Sequence, residues 1–242
     1  MPPIDAVTFD YWNTLVYEDH GRLRGIRLES WAAILEDAGI NVPPERLERA
    51  FDDSWAEYER AWFDNRQYLH DEAVSDIVRA IGVTPTDEVV TALAETFPGA
   101  ADGADLHLTD GIQDCLRALR SRDVRIGIVC DVGMTASPTL RERLDMFGVL
   151  RYFDHWSFSD EVGCFKPWPA VFEHALAGLG VADPAEAAHV GDSRRTDVAG
   201  AQAMGMTAVR YTYFVDASAD TGPEAQHVLD DHAGLVTALD IP

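Results

Sequence analysis

Three aspartates and one lysine, far apart in the chain, carry the residue types needed for chemistry on an anionic group. Asp10 lies in the run FDYWNTL, Lys166 in GCFKP, and Asp192 and Asp197 in VGDSRRTD. Lys166 is the single lysine among 19 basic residues, so any lysine chemistry must use it. Three carboxylates gathered in one place repel unless a cation lies among them, and hard oxygen ligands suit Mg²⁺. An ammonium acts as a point charge suited to a phosphate or to a carboxylate nucleophile. An aspartate can attack a phosphoryl group and form an aspartyl-phosphate. A metal and a lysine together would hold the equatorial charge of that transition state.

For these groups to meet, strands must deliver them, because open parallel sheets bind ligands at the carboxyl ends of their strands. Asp10 ends a candidate strand over Ala6–Asp10. Cys130 and Asp131 end the apolar run RIGIVC, Arg125–Cys130. Lys166 follows a short strand at His155–Ser159, and Asp192 follows Ala187–Gly191. Two more strands are expected at Met206–Tyr211 and His227–Leu229. Helical patterns lie between them at Gly111–Ser121, Ser137–Phe147, Ala170–Ala177 and Thr196–Met204, with a last one at Ala233–Leu239. This alternation predicts an α/β fold with a parallel sheet and right-handed crossovers.

The stretch after the first strand has a different rhythm. Helices are expected over Gly21–Ala38, from Pro44 through the aromatic segment Trp55–Phe63, and over Asp71–Ile81. A capping box at Thr84-Pro85-Thr86-Asp87 should open a fourth, and Pro98–Gly103 reads as a break. Val16 to about Asp105 is therefore expected to be all helical. The predicted organisation is a Rossmann-like core over 1–15 and 105–242, with an all-helical cap inserted over 16–104. In that cap Trp55, Tyr58, Trp62 and Phe63 read as helix–helix core, and Arg24, Arg27, Arg60 and Arg66 as solvated-face residues.

Composition bounds the rest. The chain has 242 residues, 47% hydrophobic and 25% charged, enough apolar content for a packed core. Its net charge of −23 argues against nucleic acid and against anionic lipid as partners. Three cysteines without a CxxC pattern fit reduced thiols. The N-terminal residues lack a basic region and no apolar run is long enough to span a membrane, so a cytoplasmic protein is expected. The histidines show no metal-type spacing and are given no role.

The four segments FDYWNTL, IVCD, GCFKP and VGDSRRTD, in this order and with an insertion after the first, resemble the haloacid dehalogenase-like hydrolase superfamily over the whole chain. The resemblance implies that Asp10 is the nucleophile, that Thr14 steadies its loop, and that Lys166 offsets charge. It implies that Mg²⁺ is held by Asp10, Asp192 and Asp197 with the backbone carbonyl of Trp12. The implied activity is hydrolysis of small phosphorylated metabolites.

Two positions depart from the family pattern. Phosphatases of the family carry a second Asp where this chain has Trp12, and that Asp protonates the leaving group, a contribution typically worth ~10²–10⁴-fold. Cys130 stands where a Ser or Thr hydroxyl binds the phosphoryl oxygen, and a thiol is a weaker donor. Asp131 follows where Asn is common. Alternatives are a 2-haloacid dehalogenase, whose branch has an aromatic residue at the place of Trp12, and a catalytically impaired pseudo-phosphatase. A phosphonatase needs a cap lysine, and this cap has none.

Overall fold

In a computed structural model, residues 3–18, 21–103, 106–214 and 221–242 are described. The expected boundary at 104/105 lies outside them. Six strands form one parallel sheet in the order β5-β4-β1-β6-β7-β8. They are β1 (Ala6–Phe9), β4 (Arg125–Cys130), β5 (His155–Phe158), β6 (Ala187–Gly191), β7 (Thr207–Tyr211) and β8 (His227–Leu229). β1 pairs with β4 on one side and β6 on the other, with Phe9 opposite both Ile128 and Val190. The chain fills one flank and then crosses to the other, so β1 is where the strand order reverses and where a ligand site is expected. All four residues of β1 and all five of β6 are buried, as strands covered on both faces require.

Two further strands, β2 (Val16–Glu18) and β3 (Leu106–Leu108), form a separate two-stranded sheet. Val16 therefore begins a strand rather than the expected helical block. Three residues are too few for a hydrophobic period to be read.

The chain divides into two compact units. One comprises Met1–Tyr17, His107–Asp131 and Arg141–Pro242, and contains the large sheet. Its helices include α5 (Ile112–Arg120), α7 (Ser159–Val162), α8 (Pro169–Leu179), α9 (Ala199–Met204) and α10 (Leu235–Ala238). α6 (Ser137–Met146) runs across the boundary between the units. Val171, Phe172, Ala175, Leu176 and Leu179 of α8 pack into a core with Ala6, Val129, Ala187 and Ala208 from the strands.

The other unit, Glu18–Leu106 with Val132–Leu140, is built on α1 (Arg22–Asp37), α2 (Pro44–Phe63), α3 (His70–Ile81) and α4 (Asp87–Gly103). Trp31, Phe51, Tyr68, Ile77, Leu93 and Phe97 form its centre, joined by Met134 from the second segment. Three local expectations need correction here. The chain does not break at Pro98, because α4 continues to Gly103. Proline removes one backbone donor, but Leu93, Phe97 and Ala100 on the same face are buried and hold the turn. Thr86 rather than Thr84 caps α4, accepting from the Val89 amide at 3.4 Å. Trp55 and Phe63 are half or more exposed, so the α2 aromatic run is not all interior.

Candidate active site

Adjacent parallel strands lie about 4.8 Å apart, so residues just past the ends of β1 and β6 are neighbours by construction. Asp10 follows β1, and its amide donates to the Val190 carbonyl at 2.8 Å. Past it the chain turns sharply: the Leu15 and Val16 amides both donate to the Tyr11 carbonyl, and Asn13 adopts φ 59°. Asparagine tolerates that left-handed geometry better than most residues, and its side-chain amide reaches Asp192 at 3.3 Å. Beyond Asp192, Ser193 opens a π-helical turn over Arg194–Val198 that places Asp197 on the inner side. Such turns recur at functional sites. Gly191 has no room for a side chain, since a Cβ would lie 2.2 Å from the Asp197 carboxyl carbon.

Lys166 bridges these carboxylates. Its Nζ donates to Asp10 Oδ1 at 2.5 Å and to Asp197 Oδ1 at 2.6 Å, and the lysine is 2% exposed. Its backbone amide donates to Asp131 Oδ1 at 2.8 Å, which ties the lysine loop to the end of β4. Asp197 also takes the Ser193 amide and His189 Nε2, both at 3.0 Å. Asp10, Asp192 and Asp197 each offer an oxygen within 4.8 Å of the others.

The electrostatics follow from burial and charge count. Burial pushes Asp10 well above the usual carboxylate range; Lys166 pulls it down, while Asp197 and Asp192 raise it further. Burial and then the Asp197 charge push Asp192 up to about 7. Burial works to raise Asp197 too, but Lys166 and the His189 hydrogen bond outweigh it and hold this acid down. Burial opposes the Lys166 ammonium, and Asp10, Asp197 and Asp131 more than restore it.

Two buried acids and the half-buried Asp192 around one ammonium leave surplus negative charge, which a divalent cation with oxygen ligands would neutralise. The Thr14 hydroxyl is buried without a partner among the described residues, consistent with a site shaped for a further polar group. The donor set fits a hard metal ion.

The remaining predicted residues are placed as follows. The Thr14 carbonyl accepts from the Thr109 hydroxyl at 2.8 Å and from His232 Nε2 at 2.9 Å. The Trp12 ring packs edge-on against Tyr11 at 5.0 Å. Cys130 is fully buried, and burial, followed by the Asp10 charge, pushes its thiol well up, so it is a neutral thiol. Its Sγ donates only a long 3.5 Å contact to the Asp131 carbonyl. His189 was missed because no spacing in the sequence marks it; the available signal was an imidazole inside the apolar strand AAHVG.

A parallel sheet with a lysine and three acids at its carboxyl edge defines an α/β protein with an acidic, lysine-bridged site. Residues 4–205 match the haloacid dehalogenase-like hydrolase family, and the chain belongs to that family. It is 27% identical to the human haloacid dehalogenase-like hydrolase domain-containing protein 3, over 98% of this chain and 94% of that protein. It is 29% identical to a glyceraldehyde 3-phosphate phosphatase of Methanopyrus kandleri, over 86% of this chain and 83% of that protein. Among solved structures, a 2-haloacid dehalogenase from Pseudomonas syringae pv. Tomato superposes with a TM-score of 0.72 at 23% identity, covering 98% of each chain.

Proposed function

We propose that this hydrolase is a Mg²⁺-dependent phosphatase of small phosphorylated metabolites that works through a phosphorylated Asp10. The observation that carries this reading is Lys166 Nζ held between Asp10 and Asp197, with Asp192 completing a cluster of acids. The phosphatase name of the archaeal relative supports it. Asp10, Asp192 and Asp197 would hold the ion, joined by the Trp12 carbonyl. When bound, Mg²⁺ would supply positive charge to the phosphoryl oxygens.

In this reading an Asp10 carboxylate oxygen attacks phosphorus, and the P–O bond to the leaving group breaks in line. Lys166 keeps Asp10 oriented and shares the equatorial charge. Water then attacks the Asp10 phosphate, releasing inorganic phosphate and the free carboxylate. Trp12 offers no acid proton, so the chemistry favours esters with acidic leaving groups. Residues 16–104, the inserted cap, would select the rest of the substrate.

The test is hydrolysis of para-nitrophenyl phosphate by the full chain. We expect turnover with Mg²⁺ and none in chelator. Asp10→Asn should lose at least ~10³-fold, as removal of a nucleophile does. Turnover that survives either change overturns the reading. Trp12 is the observation that favours a second reading, dehalogenation, since halide leaves without a proton. Metal-independent chloride release from 2-chloropropionate, with no phosphatase activity, would establish it instead.

A further inference from the structure

We propose that His189 is a positioning residue: its Nε2–H fixes the Asp197 carboxylate in the orientation that carries Lys166, and Thr8 holds the other ring nitrogen in place. The inference rests on the reading of Asp10, Lys166 and Asp197 as the catalytic group. His189 is 1% exposed on β6, with Nε2 at 3.0 Å from Asp197 Oδ1 and Nδ1 at 2.8 Å from the Thr8 hydroxyl. A carboxylate only accepts, so the Nε2 proton points at Asp197, and the neutral ring accepts from Thr8 at Nδ1.

The oxygen that His189 holds is the one that receives Lys166 Nζ. A continuous line of polar contacts thus runs from Thr8 through His189, Asp197 and Lys166 to Asp10. It begins on β1 and returns to the residue that follows the same strand. The ring is braced as well as bonded. Phe172 meets it edge-on at 5.2 Å, and Phe172 fits there because Gly200 has no Cβ, which would lie 2.3 Å from it. On the other side Gly191 leaves space for the Asp197 carboxyl. Loss of a donor behind a liganding carboxylate typically costs about 10–100-fold in metal affinity or activity.

The test compares His189→Leu, His189→Gln and Thr8→Val in the full chain. It reads kcat and KM for para-nitrophenyl phosphate, Mg²⁺ affinity by isothermal titration calorimetry, and Tm. His189→Leu should lose about 10–100-fold in kcat with KM nearly unchanged, and should bind Mg²⁺ more weakly. His189→Gln, whose amide can donate from the same place, should recover much of both. Thr8→Val should show a smaller loss of kcat in the same direction.

Wild-type kcat and Mg²⁺ affinity in His189→Leu overturn the proposal, and so do equal losses in the Leu and Gln variants. If His189→Leu does not fold, Thr8→Val decides: slower turnover at wild-type Tm supports positioning, and wild-type turnover overturns it. A wild-type chain that cleaves no aryl phosphate overturns the phosphatase reading instead. The Mg²⁺ affinities then decide the role of His189 alone: weaker binding by His189→Leu with recovery by Gln supports it, and unchanged binding overturns it.

Discussion

Both compact units of this protein bury long cations, and Lys166 and Arg27 are treated in opposite ways. Lys166, in the sheet-containing unit, lies between two carboxylates, and its ammonium is favoured despite burial. Arg27, in the helical unit, is 6% exposed and has no carboxylate partner among the described residues. Its guanidinium donates to the Phe97 carbonyl at 3.2 Å and the Thr135 hydroxyl at 2.8 Å, and lies 4.9 Å over the Phe97 ring. Burial lowers it to about 10, with the Glu18 charge opposing. A buried charge is tolerated when it is compensated by opposite charge or by well-placed neutral acceptors. The first arrangement concentrates reactive groups. The second ties a helix to its neighbours.

The sharpest way to break this comparison is Lys166→Met. It strips the only ammonium from three neighbouring acids, and removing one partner of a buried ion pair costs about 3–5 kcal/mol. We expect a Tm well below wild type in Mg²⁺-free buffer, partly restored by Mg²⁺, and turnover reduced about 10²–10³-fold. The opposite substitution sharpens it. Asp10→Asn removes one of the repelling acids, so it should abolish turnover while leaving Mg²⁺-free stability equal to wild type or higher, the trade-off expected of a strained functional residue. Parallel loss of stability in both variants would show that the cluster is not electrostatically overloaded.

The acids and the lysine were legible in the sequence because each closes or follows an apolar strand, and the alternation of strands and helices forces those ends together. The residues that orient them were not. Thr8 and His189 lie inside buried strands, where the sequence shows only a polar interruption, and the partner is set by strand order. Arg27 read as a solvated-face residue, yet it shares a buried stripe with Leu23, Trp31 and Leu35. Four-residue spacing put it on that stripe, but the Thr135 hydroxyl that makes burial tolerable comes from a distant segment. The extension of α4 past Pro98 was hidden for the same reason: tertiary packing overrode the local signal.

The next prediction concerns the helical unit alone. Arg27→Met keeps the length of the side chain but leaves the Phe97 carbonyl and Thr135 hydroxyl without their donor. The cost should be about 1–3 kcal/mol, read as a lower denaturation midpoint at unchanged m-value. Turnover of para-nitrophenyl phosphate should not change. A drop in kcat at unchanged stability would move Arg27 from the scaffold to the chemistry and end the contrast with Lys166.

The smallest effect belongs to the imidazole beneath the Asp10 turn. His232 Nε2 donates to the Thr14 carbonyl at 2.9 Å, and the ring stacks on Tyr211 at 4.1 Å. Burial lowers its pKa to about 4, against the Thr14 hydrogen bond and the Asp231 charge. A histidine held neutral in the fold contributes stability above its unfolded pKa of about 6.5 and loses it as pH falls toward the folded value. Asp192, raised to about 7 in the metal-free protein, acts with the opposite sign, because the fold then binds a proton more tightly than the unfolded chain. His232→Gln separates the two, since it keeps a donor for Thr14 and removes only the titration. Between pH 7 and pH 5.5 in Mg²⁺-free buffer, the wild type should lose about 1 kcal/mol more stability than the Gln variant. Equal pH slopes in urea titrations would mean that His232 protonates inside the fold without cost.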